Sequence, residues 1–398
     1  MGPDPGLLVT VYFQEKRSLG HTTMSDNRIL IGLKPHYLMP LILLGLVMGI
    51  VGGWIRLGYI ALPVASAAMS HGLLMVGGFL GTLICLERCM VMKAKGWLLL
   101  PLLGLVATGC YLSGYETYGM YALTLESIGL LLVLYLQTIR YKLTELVVMC
   151  VGAVCWIIGN ILVIKTGFVP VGTTWWIGFI LLTIVGERLE FGKFLPNPRW
   201  SKAVLYTLLT VFFVGLMIPF HEGGNWVLGI SALFMGLWLL RFDMARISVR
   251  KSGFHRYIGM GLIVGYVWLV MFGLVLCLMD SHPYYYDLFL HTFFLGFAFS
   301  MIWAHAPIIL PTVFKRTQTA FYPVLWPFWT LFQISLIGRM FFSLLQYTDG
   351  RSWFGVLNGW TVLAMFAMMV GILVYQVVAE RKQKSIKKQV LLIRTKYQ

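Results

Sequence analysis

Long apolar runs follow one another along almost the whole chain, separated by short polar stretches. A helix needs roughly 20 residues to cross the hydrocarbon core of a bilayer, and twelve runs reach that length. They lie near residues 38–60, 65–87, 96–114, 117–139, 144–164, 170–192, 203–221, 225–245, 256–279, 284–313, 319–346 and 353–379. These runs show no apolar–polar alternation of the kind that is typical of a membrane β-barrel. The pattern therefore predicts an all-α membrane protein with twelve transmembrane helices.

The composition agrees with this class. Apolar residues make up 59% of the 398 residues and charged residues only 12%, which excludes a soluble globule of this size and a disordered chain. We expect a polar leader over 1–37, a transmembrane domain over 38–380 and a basic tail over 381–398. Met24 is a second candidate for the first residue of the protein. The tail alternates basic and apolar residues, which is typical of a helix end that lies on lipid headgroups.

The distribution of basic residues predicts the topology. With twelve spans, 27 of the 31 Lys and Arg residues fall on the side of the amino terminus and four on the opposite side. Positively charged loops stay in the cytoplasm, so both termini are predicted to be cytoplasmic, in a bacterial inner membrane. The net charge of +16 then reflects topology and attraction to an anionic lipid bilayer. We expect no nucleic-acid partner.

Two histidines inside spans are candidates for a cofactor site. His71 is about six residues into span 2 and His291 about seven residues into span 10, which places both roughly 10 Å below the outer surface on parallel helices. Two neutral imidazoles at one depth can ligate a haem iron axially. A hydroxyl, carbonyl or water should then lie behind each ring and fix its tautomer; Ser70 and Thr292 are nearby polar candidates, although adjacent residues usually point elsewhere. In the alternative interpretation, each histidine forms a hydrogen bond with a neighbouring helix.

Glycines near these histidines fit the haem interpretation. Small residues at Gly72, Gly77, Gly78 and Gly296 would let a flat macrocycle approach the backbone.

An internal pattern links spans 2, 6 and 10. Each contains Gly-Phe, followed nine residues after the glycine by Glu87, Glu187 or His305. The three spans are four apart, which suggests three four-helix arcs around a pseudo-threefold axis. Two carboxylates and an imidazole at one depth could hold a transition metal or relay protons. Alternatively, Arg88, Arg188 or other basic residues pair with the carboxylates in a structural layer of ion pairs at the membrane interface.

The sequence resembles a known family in three spans. HGLLMVGGFLGTLI in span 2, GYVWLVMFG in span 9 and HTFFLGFAFSMIWAHAPIILP in span 10 resemble the NnrS family. These are twelve-helix membrane proteins associated with haem, copper and tolerance of nitric oxide. The arrangement is also similar to the catalytic subunit of haem-copper oxidases, which has twelve helices in three arcs, termini inside, and a low-spin haem held by histidines on helices 2 and 10. His71 and His291 match that pair.

The departures from the oxidase pattern narrow what the resemblance implies. Phe293 stands where oxidases carry a second histidine on helix 10, and span 6 has no histidine. Span 7 offers only His221 at its outer end. The resemblance therefore implies a membrane protein with haem b that handles redox or nitric-oxide stress without an oxidase-type binuclear centre. It leaves room for a separate metal such as copper. It specifies neither a redox partner nor an enzymatic reaction.

Two other functions remain open at this stage. Twelve spans and glycine-rich helices also fit a cofactor-free transporter or channel, although no inverted-topology repeat or pair of broken helices is visible. An assembly or scaffold role has no positive sign in the sequence.

Overall fold

The computed structural model describes residues 34–62, 65–314, 316 and 318–396. Residues 1–33 of the predicted leader lie outside this part of the chain. Regular structure in the described residues is entirely helical. The long helices are α1 Pro35–Arg56, α2 His71–Met90, α3 Lys95–Leu112, α4 Glu116–Tyr141, α5 Thr144–Thr166, α6 Val169–Phe191, α7 Arg199–Met217, α8 Gly224–Phe242, α9 Gly253–Leu278, α10 Tyr285–Val313, α11 Leu325–Leu344 and α12 Thr348–Lys396.

Each predicted apolar run falls on one of these helices. Within the described residues, eleven helices are long and apolar enough to cross a membrane, which identifies the chain as an α-helical membrane protein. The twelfth, α11, has 20 residues but carries Gln333 and Arg339, which lower its mean hydropathy. The boundary prediction is wrong at span 2, because a short helix, Ala65–Met69, ends before α2 begins. His71 is therefore the first residue of α2 and not its sixth.

Glycines bring neighbouring helices into close contact, as is common in membranes. A Cβ atom at Gly172 of α6 would lie 2.8 Å from the carbonyl oxygen of Gly159 in α5. Likewise, a Cβ atom at Gly273 of α9 would lie 2.5 Å from the carbonyl oxygen of Gly229 in α8. Any larger side chain at these positions would separate the two helices. These glycines therefore set the spacing within each helix pair.

The helices α2, α6 and α10 contact one another in all three combinations. Arg88 of α2 forms an ion pair with Glu187 of α6. The hydroxyl oxygens of Thr173 in α6 and Tyr286 in α10 are 3.1 Å apart. The rings of Phe79 in α2 and Phe299 in α10 lie 6.0 Å apart, centroid to centroid. These helices are also the most buried candidate spans, at 72%, 72% and 67%, so the sequence pattern links three helices that lie together.

Both α2 and α10 contain a segment of π-helix. In α2 it runs over Leu74–Gly81, and in α10 it runs over Thr292–Ala298. The π-helix is rare and is frequent at functional sites. Each segment begins shortly after one of the two candidate histidines: three residues after His71 and immediately after His291.

The chain divides into two compact units, one ending at Met301 and the other beginning at Ile302. In the second unit, α11 and α12 form a hairpin. The amide nitrogen of Asn358 donates to the hydroxyl oxygen of Ser335 at 2.8 Å. The helix α12 continues without a break to Lys396, so the backbone shows no boundary at the predicted start of the tail.

Candidate functional site

His71 is held against α1. Its ring nitrogen Nδ1 lies 2.6 Å from the carbonyl oxygen of Gly49, and because a carbonyl can only accept, Nδ1–H is the donor. A Cβ atom at Gly53 would lie 3.1 Å from the ring carbon Cε1, so the missing side chain there makes room for the imidazole. With Nδ1 protonated, the neutral ring has its lone pair on Nε2.

His291 has the same tautomer for a similar reason. Its Nδ1 lies 2.8 Å from the carbonyl oxygen of Asp287, one helical turn earlier, and 3.2 Å from the Asp287 carboxylate oxygen Oδ1. The two side chains are 18% and 21% exposed. A ring held by a backbone carbonyl and a carboxylate is an arrangement found behind metal-ligating histidines.

The two histidines occupy equivalent positions on contacting helices. Phe79 and Phe299, whose rings meet, each lie eight residues after the histidine of their own helix. The same number of residues therefore separates each histidine from this aromatic contact. The donor set is chemically suited to haem iron, since each imidazole presents Nε2 as the ligating nitrogen.

Some details of the predicted site are wrong. Ser70 does not support the His71 ring, because its hydroxyl donates to the carboxylate of Glu116 at 3.0 Å. Thr292 donates instead to the carbonyl oxygen of Leu288 at 2.8 Å. The groups behind the rings are the backbone carbonyls of Gly49 and Asp287, and a carbonyl is one of the three kinds of group predicted from the sequence.

Three of the four glycines near the histidines serve helix packing. A Cβ atom at Gly77 would lie 2.2 Å from Leu123 of α4, one at Gly78 would lie 2.6 Å from Thr108 of α3, and one at Gly296 would lie 2.6 Å from Trp268 of α9. Neighbouring side chains therefore fill the space that was predicted for a macrocycle. Of these four glycines, Gly72 alone has nothing within 4 Å of a Cβ atom.

A second cluster of ionisable groups lies at the other end of α2. Arg88 is buried and pairs with Glu187, and its Nη2 atom is 3.9 Å from the carboxylate of Glu87. The amide of Gln137 in α4 donates to the backbone carbonyl of Arg88 at 3.0 Å. One guanidinium thus accompanies both carboxylates of the predicted metal site, as the ion-pair alternative requires.

His305, the third predicted ligand, belongs to the second unit, and its side chain is partly buried. Across the described residues, no group of three or more His, Cys, Asp or Glu side chains is close enough to hold a metal ion. The donors at Glu87 and Glu187 therefore do not fit a metal site as they stand.

Sequence reasoning missed two buried acids, Glu126 of α4 at 0% exposure and Glu145 of α5 at 4%, of which Glu145 pairs with Lys193. Glu126 is the more deeply buried of the two. Its position near the middle of predicted span 4 was a usable signal, because an ionisable residue inside a bilayer is costly and commonly functional.

Taken together, the fold and these sites define an α-helical integral membrane protein with ionisable side chains at both ends of α2. The chain belongs to the family described as Domain of unknown function (DUF8744), whose profile matches residues 36–374. No curated protein and no solved structure matches the chain.

Proposed function

We propose that this protein is a b-type haem protein of the membrane, with His71 and His291 as the two axial ligands, acting in redox or nitric-oxide stress handling. One observation carries the proposal. The two imidazoles occupy matching positions on contacting helices, and each has Nδ1 bonded to a backbone carbonyl. A haem bound there would supply one-electron redox chemistry. The family resemblance described above points to the same cofactor.

The chain's own residues would perform three tasks at this site. The carbonyls of Gly49 and Asp287 fix the ring tautomers so that both Nε2 atoms can act as ligands. The carboxylate of Asp287 makes the His291 imidazole more basic. The aromatic residues Phe79 and Phe299 contribute to an apolar surrounding, which limits water access and thereby influences a redox potential.

The second metal is not part of this proposal. Arg88 accompanies the carboxylates of both Glu87 and Glu187, and a cation already in place disfavours a further one. We assign these residues to a structural layer of ion pairs.

We extend the proposal to the topology. In it, α11 is a twelfth span, both termini are cytoplasmic, and the helices form three four-helix arcs with α2, α6 and α10 at the centre, in a bacterial inner membrane. The contacts among the three helices and the distribution of basic residues support this arrangement. A periplasmically active reporter should be silent when fused after Gln398 and active in the loop at Pro283. The reverse pattern would contradict the topology.

A reduced-minus-oxidised optical spectrum tests the haem. Protein purified from haem-replete cells should show a sharp α-band of a low-spin, six-coordinate haem, with one haem for each chain. A featureless spectrum from such cells would overturn the proposal and favour the cofactor-free transporter or channel.

A further inference from the structure

The carboxyl group of Glu126 lies within the candidate span α4, and no basic side chain of the described residues is among the groups that act on it. It is 0% exposed, and Thr82, Cys85 and Cys89 of α2 are the groups that act on it. From α3, Tyr111 is close enough to interact with it. None of these side chains is basic. An ionised carboxylate in such surroundings would be strongly disfavoured, because neither water nor a positive partner compensates for its charge.

The contacts of the Thr82 hydroxyl bear on whether the Glu126 carboxyl group carries a proton. The Thr82 hydroxyl oxygen is 3.0 Å from the carbonyl oxygen of Gly77 and 3.3 Å from Oε2 of Glu126. A hydroxyl has a single proton to donate, and the Gly77 carbonyl can only accept. If Thr82 donates to Gly77, the contact with Glu126 is a hydrogen bond only when the carboxyl group is the donor. A neutral carboxylic acid at Glu126 satisfies both contacts of Thr82 at once, whereas a carboxylate would compete with Gly77 for the one hydroxyl proton.

The surrounding helices make room for this group. A Cβ atom at Gly104 of α3 would lie 2.5 Å from Oε2 of Glu126 and 1.9 Å from the Thr82 hydroxyl oxygen, so only glycine admits the pair. The other carboxyl oxygen, Oε1, is buried and accepts no hydrogen bond in the described part of the chain. One oxygen is thus available to an incoming proton donor such as water.

We propose that Glu126 is a proton-binding site inside the membrane, a neutral carboxylic acid that exchanges its proton with water. The Cys85 and Cys89 thiols, whose sulfur atoms are 4.0 Å apart, extend the polar path from Glu126 toward the charged end of α2 at Arg88. The assignment stands on the carboxyl group and its neighbours, and it does not depend on a haem.

Infrared spectroscopy of the full-length protein in lipid nanodiscs tests the site. A protonated carboxyl group has a C=O stretching band that a carboxylate lacks. Glu126→Gln should remove one such band from the spectrum at neutral pH, and the band should shift when water is replaced by D₂O. The matched control is Glu187→Gln, which removes an ion-paired carboxylate and should leave the band unchanged.

A second variant covers the case in which Glu126→Gln fails to fold. Thr82→Val keeps the shape of the side chain and removes the partner of the carboxyl group, so the same band should persist at a shifted frequency. The proposal is overturned if neither variant alters a protonated-carboxyl band, because Glu126 is then ionised. It is equally overturned if the band does not shift in D₂O, because the proton then does not exchange with water.

Discussion

At its first residue, α2 carries an imidazole whose Nδ1 donates to a backbone carbonyl of α1. Near its last residue, the same helix carries a guanidinium that is paired with the carboxylates of Glu187 and Glu87. At the His71 end, an uncharged main-chain carbonyl orients the imidazole, and the lone pair of the neutral ring is then on Nε2. At the Arg88 end, opposite charges neutralise one another. Burial alone therefore does not identify a cofactor site; the partner of the buried group has to be considered.

The largest expected effect comes from removing either imidazole. His71→Ala or His291→Ala should abolish the low-spin haem spectrum, because one remaining ligand leaves the iron five-coordinate or free to dissociate. Haem content and the α-band of the purified variants measure this.

His305→Ala is the matched control, since it removes a histidine from the same helix as His291, about 21 Å further along it. Its spectrum should equal that of the wild type. Loss of the low-spin signal in His305→Ala, or its survival in both His71→Ala and His291→Ala, would show that other residues ligate the iron.

The next largest effect concerns stability at the Arg88 end. Arg88→Ala should lower the free energy of unfolding by about 1–3 kcal/mol, because it leaves two partly exposed carboxylates, at 28% and 24% exposure, without their cation. Thermal unfolding in detergent, followed by circular dichroism, measures the loss.

A double variant separates an ion pair from a metal site. Arg88→Met combined with Glu187→Leu replaces the pair by apolar groups, so most of the stability should return. If Glu187 instead held a metal, the double variant would stay unstable and a chelator would destabilise the wild type.

The sequence predicts the helices well because a run of apolar residues and the thickness of a bilayer impose the same length. The Gly-Phe pattern occurs on three helices that contact one another, α2, α6 and α10, and shared burial favours such shared residue types. The π-helical segments at Leu74–Gly81 and Thr292–Ala298 escape such reasoning, because their residues are also compatible with an ordinary α-helix.

Which glycines pack against a neighbouring helix could not be predicted from the sequence either. Gly77 and Gly72 are similar by sequence, yet Gly77 faces Leu123 and Gly72 faces no other atom within 4 Å. This difference depends on helix rotation, which the span pattern does not specify, and the local π-helix changes the rotation further. By contrast, Glu126 could have been found from its depth in span 4.

The smallest expected effect distinguishes contact with the His71 ring from a general change in the helices. Alanine in place of glycine stabilises a helix interior by roughly 0.5–1 kcal/mol; Gly53→Ala lies inside α1 and gains this amount, whereas Gly72→Ala, at the second residue of α2, gains less. Only Gly53→Ala also places a Cβ atom 3.1 Å from the His71 ring, so the ring or α1 must shift by a few tenths of an ångström. Haem affinity should fall by about twofold to tenfold, less than the 10–100-fold typical of losing a group behind a ligand. Haem titration of the two variants measures the difference. Equal affinities would mean that the ring adapts freely, and the hydrogen bond to Gly49 would then not determine how His71 is oriented toward a haem.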